Sequence, residues 1–267
     1  MKNLTLEKKL FYIFRISIAM CFIGHGIFGI ITKHIWCNYF GVFGIAEASA
    51  YRFMPVIGTF DVLMGVIMLV YPVRIIPGWL VLWGIFTALL RPLSAEPFAE
   101  FIERAGNFGI PLAMLLLYGG SYSLKGWFKR IDPDINADED TLNNVAICLR
   151  FTVFLLIAGH GWLNIIQKPG IISQYSSLGF SNPLLTAEFT GIIEIMAAFT
   201  ILIKPIRPVL IMLLIWKAAS ELFYPQWAAI EWIERGGSYG AILALWFMTE
   251  KAYVKNSLIN LFRKAAA

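Results

Sequence analysis

Eight apolar stretches, each near the length of about 20 residues that a helix needs to cross a bilayer, occupy most of this 267-residue chain. They run over roughly 11–31, 53–71, 75–94 and 107–122, then over 146–166, 185–203, 206–224 and 237–250. Charged residues make up only 15% of the chain and hydrophobic ones 58%, and the mean hydropathy is +0.70. A soluble domain of this length needs a polar shell that such a composition cannot supply. The expected class is an all-α, polytopic integral membrane protein with eight transmembrane helices and the lipid bilayer as its surroundings.

The polar residues inside these stretches recur. Arg15 and Gly24-His25-Gly26 return as Arg150 and Gly159-His160-Gly161, 135 residues later. Asp61 and Glu194 follow in the next stretch of each half, 133 apart. The segment from Glu103 to Gly109 returns from Glu234 to Gly240, 131 apart. A duplication that keeps its rare polar residues predicts two four-helix bundles, over 1–124 and 145–267, joined by the charged segment 125–144.

Fifteen of the 22 basic residues fall on one side if the eight helices alternate. The positive-inside rule then puts both termini in the cytoplasm of an inner-membrane protein. With four helices per half, the repeats have the same orientation, related by an axis along the membrane normal. The net charge of +5 is thus a topology signal and not a nucleic-acid signal. No cleavable signal peptide is evident, because the first apolar run is long and carries the repeated motif. Cys21, Cys37 and Cys148 stand at unrelated spacings with no C-x-x-C, which gives no support to thiol–disulfide chemistry.

Charged groups at membrane depth normally face the bundle interior and find partners. The simplest geometry pairs His25 with Asp61 and His160 with Glu194. Each histidine then either satisfies a buried acid, with its glycines serving helix packing, or frames a ligand such as a quinone head group. Two histidines facing one another could also hold a haem b. A single His and carboxylate per half do not supply a metal site. Phe98–Arg104 and Ala229–Arg235 place acids at i, i+3 and predict short amphipathic helices at the outer surface, as anchors or lids. The halves differ at Lys217 and Glu221, spaced for an i, i+4 ion pair, where the first half has Gly84 and Ala88. Arg91 stands near the outer end of its helix, opposite Tyr224. This asymmetry suggests that the second half is the elaborated one.

At these residues the chain resembles the DoxX family of small four-helix membrane proteins. An Arg, a Gly-His-Gly, a Lys (Lys33, Lys168) and an acid in the following span carry the resemblance once per half, over essentially the whole chain. It implies a tandem fusion of two such units and a loose association with quinone-linked oxidoreductases, as a subunit of a redox enzyme. The expectation is therefore an outward-facing polar pocket that binds a quinone or similar apolar ligand. His160 and Glu194 would act as a proton-shuttling pair, with His25, Asp61, Arg91, Lys217 and Glu221 around the ligand. Whether it is an enzyme is left open. A small-solute transporter and a non-enzymatic membrane scaffold are the competing classes. Against transport, the sequence shows no obvious broken helix pair in matching positions.

Overall fold

The computed structural model describes residues 4–223 and 227–249. Tyr224 and the basic residues Lys2, Lys251, Lys255, Arg263 and Lys264 lie outside these. Among the described residues the chain is all-helical, with no strand. Five helices are long and apolar enough to cross a membrane: α1 (Leu6–Ile30), α3 (Glu47–Val70), α4 (Ile75–Leu93), α8 (Glu139–Ile165) and α10 (Pro183–Ile203). Three shorter ones, α6 (Ala105–Tyr118), α11 (Arg207–Leu222) and α13 (Gly236–Met248), occupy the remaining apolar stretches. Five short helices connect them: α2 (Trp36–Gly41), α5 (Ala99–Glu103), α7 (Leu124–Trp127), α9 (Pro169–Ser177) and α12 (Ala228–Glu234).

The helix ends follow local rules. Thr5 caps α1 by accepting from the Lys8 amide, and Asn182 caps α10 from the Leu185 amide, with proline in the first turn. Asp138 caps α8 through the Thr141 amide at 2.7 Å, so this helix starts at Glu139 and not near 146. That amide, together with the Thr141 hydroxyl, holds the Asp138 carboxyl below its ordinary pKa. The charged connection is fastened to the first half. Ile131 is buried and its amide donates to Pro72 O at 2.8 Å, and Lys8 pairs with Asp134 at 2.5 Å.

α1 and α8 are the inner helices, and both lie mostly buried. α3 packs along α1, and α10 along α8. Arg15 donates to Met68 O at 3.1 Å, and Arg150 to Leu202 O and Ile203 O, so each repeated arginine binds carbonyls at the end of the neighbouring antiparallel helix. α3, α4 and α10 show apolar side chains outward, among them Val56, Leu82, Ile193 and Met196. Contiguous exposed apolar surface on this scale belongs to a lipid-facing protein. The chain is a helical integral membrane protein.

α6 and α13 are too short to span a bilayer alone. At 1.5 Å per residue they reach only about 20 Å, against a hydrocarbon core of about 30 Å. Each is preceded by a short helix, α5 or α12, with the break at Arg104 or Arg235. This corrects the expectation that no broken helix pair occupies matching positions. It also moves the two predicted amphipathic helices off the surface. Glu100, Glu103, Glu231 and Glu234 are all buried. α5 packs on α8 and α12 on α1, so each half inserts its short helix into the other.

Candidate functional site

The Gly-His-Gly motif is the receptor for that insertion. A Cβ at Gly24 would overlap the Glu234 backbone, and one at Gly159 would overlap the Glu103 backbone. The second glycine of each motif faces the neighbouring helix instead: Gly26 abuts Gly58, and Gly161 abuts Gly191. Both glycines therefore serve close helix approach. The downstream lysine completes the receptor. Lys33 pairs with Glu231 of α12 at 2.6 Å, and Lys168 pairs with Glu100 of α5. Gly106 and Gly237, which correspond in the repeat, touch each other where α6 meets α13.

Each imidazole meets its acid. His25 Nδ1 lies 2.7 Å from Asp61 Oδ2, and His160 Nδ1 lies 2.7 Å and 2.8 Å from the two Glu194 oxygens. The surroundings then diverge. Glu194 also accepts from Trp216 Nε1 at 2.7 Å and Asn164 Nδ2 at 3.2 Å, and Tyr175 donates to Asn164 Oδ1 at 2.9 Å. In the first half Gly29 stands in place of Asn164 and Phe40 in place of Tyr175. Asp61 is one methylene shorter than glutamate, and Trp83 is the counterpart of Trp216. Asp61 Oδ1 and Trp83 Nε1 are both buried without a hydrogen-bond partner. The second-half site is saturated, whereas the first-half site keeps an open acceptor and an open donor.

A cavity of about 180 Å³ lies in the first half. His25, Trp36, Tyr39, Trp83, Arg91 and Glu234 supply its polar and aromatic wall, and Phe43 and Phe86 its apolar side. The His25 ring sits against Trp36, with centroids 4.7 Å apart. Arg91 lies over the Tyr39 ring and pairs with Glu96 at 3.1 Å, and Tyr39 donates to the same carboxylate at 2.7 Å. Burial pushes the Tyr39 hydroxyl's pKa up, against the pull of Arg91, which keeps it a donor. Phe43 and Phe86 stack on each other and are both exposed, so the cavity reaches the lipid-facing surface.

Room for the cavity is left by the small side chain of Ala88, while Gly84, which does not line it, admits the Asn107 main chain of α6. Ala88 lines the cavity. Their second-half counterparts, Lys217 and Glu221, are almost fully buried and form an ion pair at 2.8 Å. Lys217 also lies 3.8 Å from Glu103, which approaches Arg104 at 3.4 Å and Arg235 at 3.6 Å, and Arg235 lies 3.7 Å from Glu221. Arg104 in turn pairs with Glu100 at 2.5 Å. The conspicuous charges of the second half thus belong to a network that ties the inserted helices together.

Of the residues expected around a ligand, the structure brings His25 and Arg91 to the cavity wall, with Asp61 behind His25. His160, Glu194, Lys217 and Glu221 do not line it. At the positions equivalent to Gly84 and Ala88 the second half carries the Lys217–Glu221 pair. His160 is not among the residues that line the cavity with His25. Comparison with protein-family models, curated proteins and solved structures found no match, so the chemistry rests on the site itself.

Sequence reasoning missed one further cluster. His34, Cys37 and Glu47 bring a nitrogen, a sulfur and an oxygen within 4.8 Å of one another. The His-x-x-Cys spacing was the available signal, but Glu47 joins only through the turn into α3.

Proposed function

We propose that the chain is a DoxX-like tandem protein of eight spans in two parallel four-helix units, with both termini cytoplasmic. In this reading it holds a lipid-borne quinone-type ring in the first-half cavity and works as a redox-associated subunit beside an electron-transferring partner. The unpartnered Trp83 Nε1, in a wall shared with His25 and Arg91, carries the reading, since a carbonyl oxygen is the acceptor it lacks. A bound quinone supplies two-electron chemistry between carbonyl and phenol. Trp36 and Tyr39 offer ring faces, Arg91 offers cationic donors, and Phe43 and Phe86 border a route from the acyl chains. The Asp61 carboxylate orients the imidazole through Nδ1, leaving Nε2 of His25 to hold or release a proton.

Titrating the detergent-solubilised protein with a short-chain quinone analogue should give saturable one-to-one binding. Ala88→Leu, which fills the cavity, should weaken that binding at least about tenfold, or about 1.4 kcal/mol. His160→Gln should leave it within about twofold, well under 1 kcal/mol. Unsaturable binding, or equal affinity in Ala88→Leu and wild type, would sink the proposal.

One observation favours transport as a second reading. Helices broken at matching positions are a recurring device of carriers. Here both breaks, at Arg104 and Arg235, are filled by ion pairs, which supports a tie between the halves more than an open path.

A further inference from the structure

We propose that His34, Cys37 and Glu47 form a site for a single divalent cation of the Zn²⁺ class, at the end of the bundle beside the cavity. The donors come from three segments: the turn after α1, helix α2, and the first turn of α3. His34 and Cys37 are held one turn apart by the Cys37 amide donating to His34 O at 2.9 Å. Glu47 Oε1 stands 3.7 Å from His34 Nδ1. Bond lengths of about 2.1 Å to nitrogen or oxygen and about 2.3 Å to sulfur give tetrahedral edges of about 3.3–3.6 Å. Closing the set around an ion therefore needs only small rotations of side chains, of which His34 and Glu47 are exposed. One thiolate, one imidazole and one carboxylate suit zinc better than magnesium or calcium, which favour oxygen ligands alone. The Tyr51 hydroxyl lies 2.8 Å from His34 Nδ1, and it either yields that nitrogen to the ion or joins as the fourth ligand.

The fold does not require this donor set. The second half builds the same turn after α8, with Gln167 in the left-handed region as Thr32 is, yet Pro169 and Ile172 replace His34 and Cys37. Glu47 alone has an ordinary role as an acid in the first turn of a helix. His34 also stacks on Tyr51 and Cys37 packs against the cluster around Trp36 and Met54, but neither contact calls for a nitrogen and a thiol beside Glu47. Because Trp36, Tyr39 and Phe40 of α2 line the cavity, an ion bound here would pin that wall to α3.

The test uses the full-length protein in detergent, stripped with chelator, and Zn²⁺ or Co²⁺ alone as probe. One equivalent of Zn²⁺ should bind and raise the melting temperature. Co²⁺ should give a thiolate-to-metal charge-transfer band with visible bands of tetrahedral intensity. Cys37→Ser should abolish the charge-transfer band and weaken Zn²⁺ binding about tenfold or more, as should His34→Ala and Glu47→Gln. Cys148→Ser should change neither. The His34, Cys37 and Glu47 variants should keep the metal-free melting temperature of wild type, because His34 and Glu47 are exposed and Cys37 is only half-buried. A cobalt complex without the thiolate band, or Zn²⁺ binding unchanged in Cys37→Ser, would overturn the proposal.

Discussion

Replacing Lys217 with methionine is expected to destabilise the protein by about 3–5 kcal/mol, the usual cost of stranding a buried charge. The ammonium lies between Glu221 at 2.8 Å and Glu103 at 3.8 Å, and all three side chains are no more than 5% exposed. Without it the two carboxylates must share Arg235, with Arg104 beside Glu103. Removing Glu221 as well restores the charge balance. The double variant Lys217→Met/Glu221→Met should therefore recover most of the loss, since apolar replacement of a whole buried pair is often close to neutral. Unfolding of the detergent-solubilised single and double variants measures the difference. Equal destabilisation in both would mean that packing, not charge, matters at this position.

The second large effect concerns the glycines that admit the inserted helices. Gly24→Val and Gly159→Val should each sharply reduce the yield of folded, monodisperse protein. The added side chain meets the Glu234 or Glu103 main chain, which cannot rotate away as a flexible side chain could. Overpacking in a core that can relax costs about 1–3 kcal/mol, and here relaxation means withdrawing a helix from the other half. Gly41→Ala is the control, since nothing lies within 4 Å of a Cβ at that position. Size-exclusion profiles after mild solubilisation distinguish the outcomes, and normal assembly of Gly24→Val would remove the receptor role assigned to the motif.

Much of this was legible in the sequence, and each part that was not has its own physical cause. The His25–Asp61 and His160–Glu194 pairs and the Lys217–Glu221 ion pair could be anticipated, because a buried polar group must find a partner and few were available. The fate of α5 and α12 could not. Acids at i, i+3 on an otherwise apolar helix suit a membrane surface as well as a buried network, and the lysines that decide between them, Lys33 and Lys168, lie in the other half of the chain. The cavity was hidden for a different reason. It depends on a side chain that is small, at Ala88, where the equivalent position in the second half carries the conspicuous Glu221. Likewise, Asp61 reads as a conservative replacement of glutamate. Only the positions of Trp83 and Trp216 show that the lost methylene frees an acceptor and a donor together.

In the function proposed above the ligand sits in the first half, beside Ala88, and the Lys217–Glu221 ion pair of the second half is structural. Photo-crosslinking with an azido-quinone, followed by mass-spectrometric mapping of the labelled peptides, tests this most directly. The expected labels fall in 36–45 and 83–91, are competed away by excess unlabelled quinone, and disappear in Ala88→Leu. Labelling centred on 213–222 around Lys217, or spread without competition over the lipid-facing surfaces of α3 and α10, would contradict it.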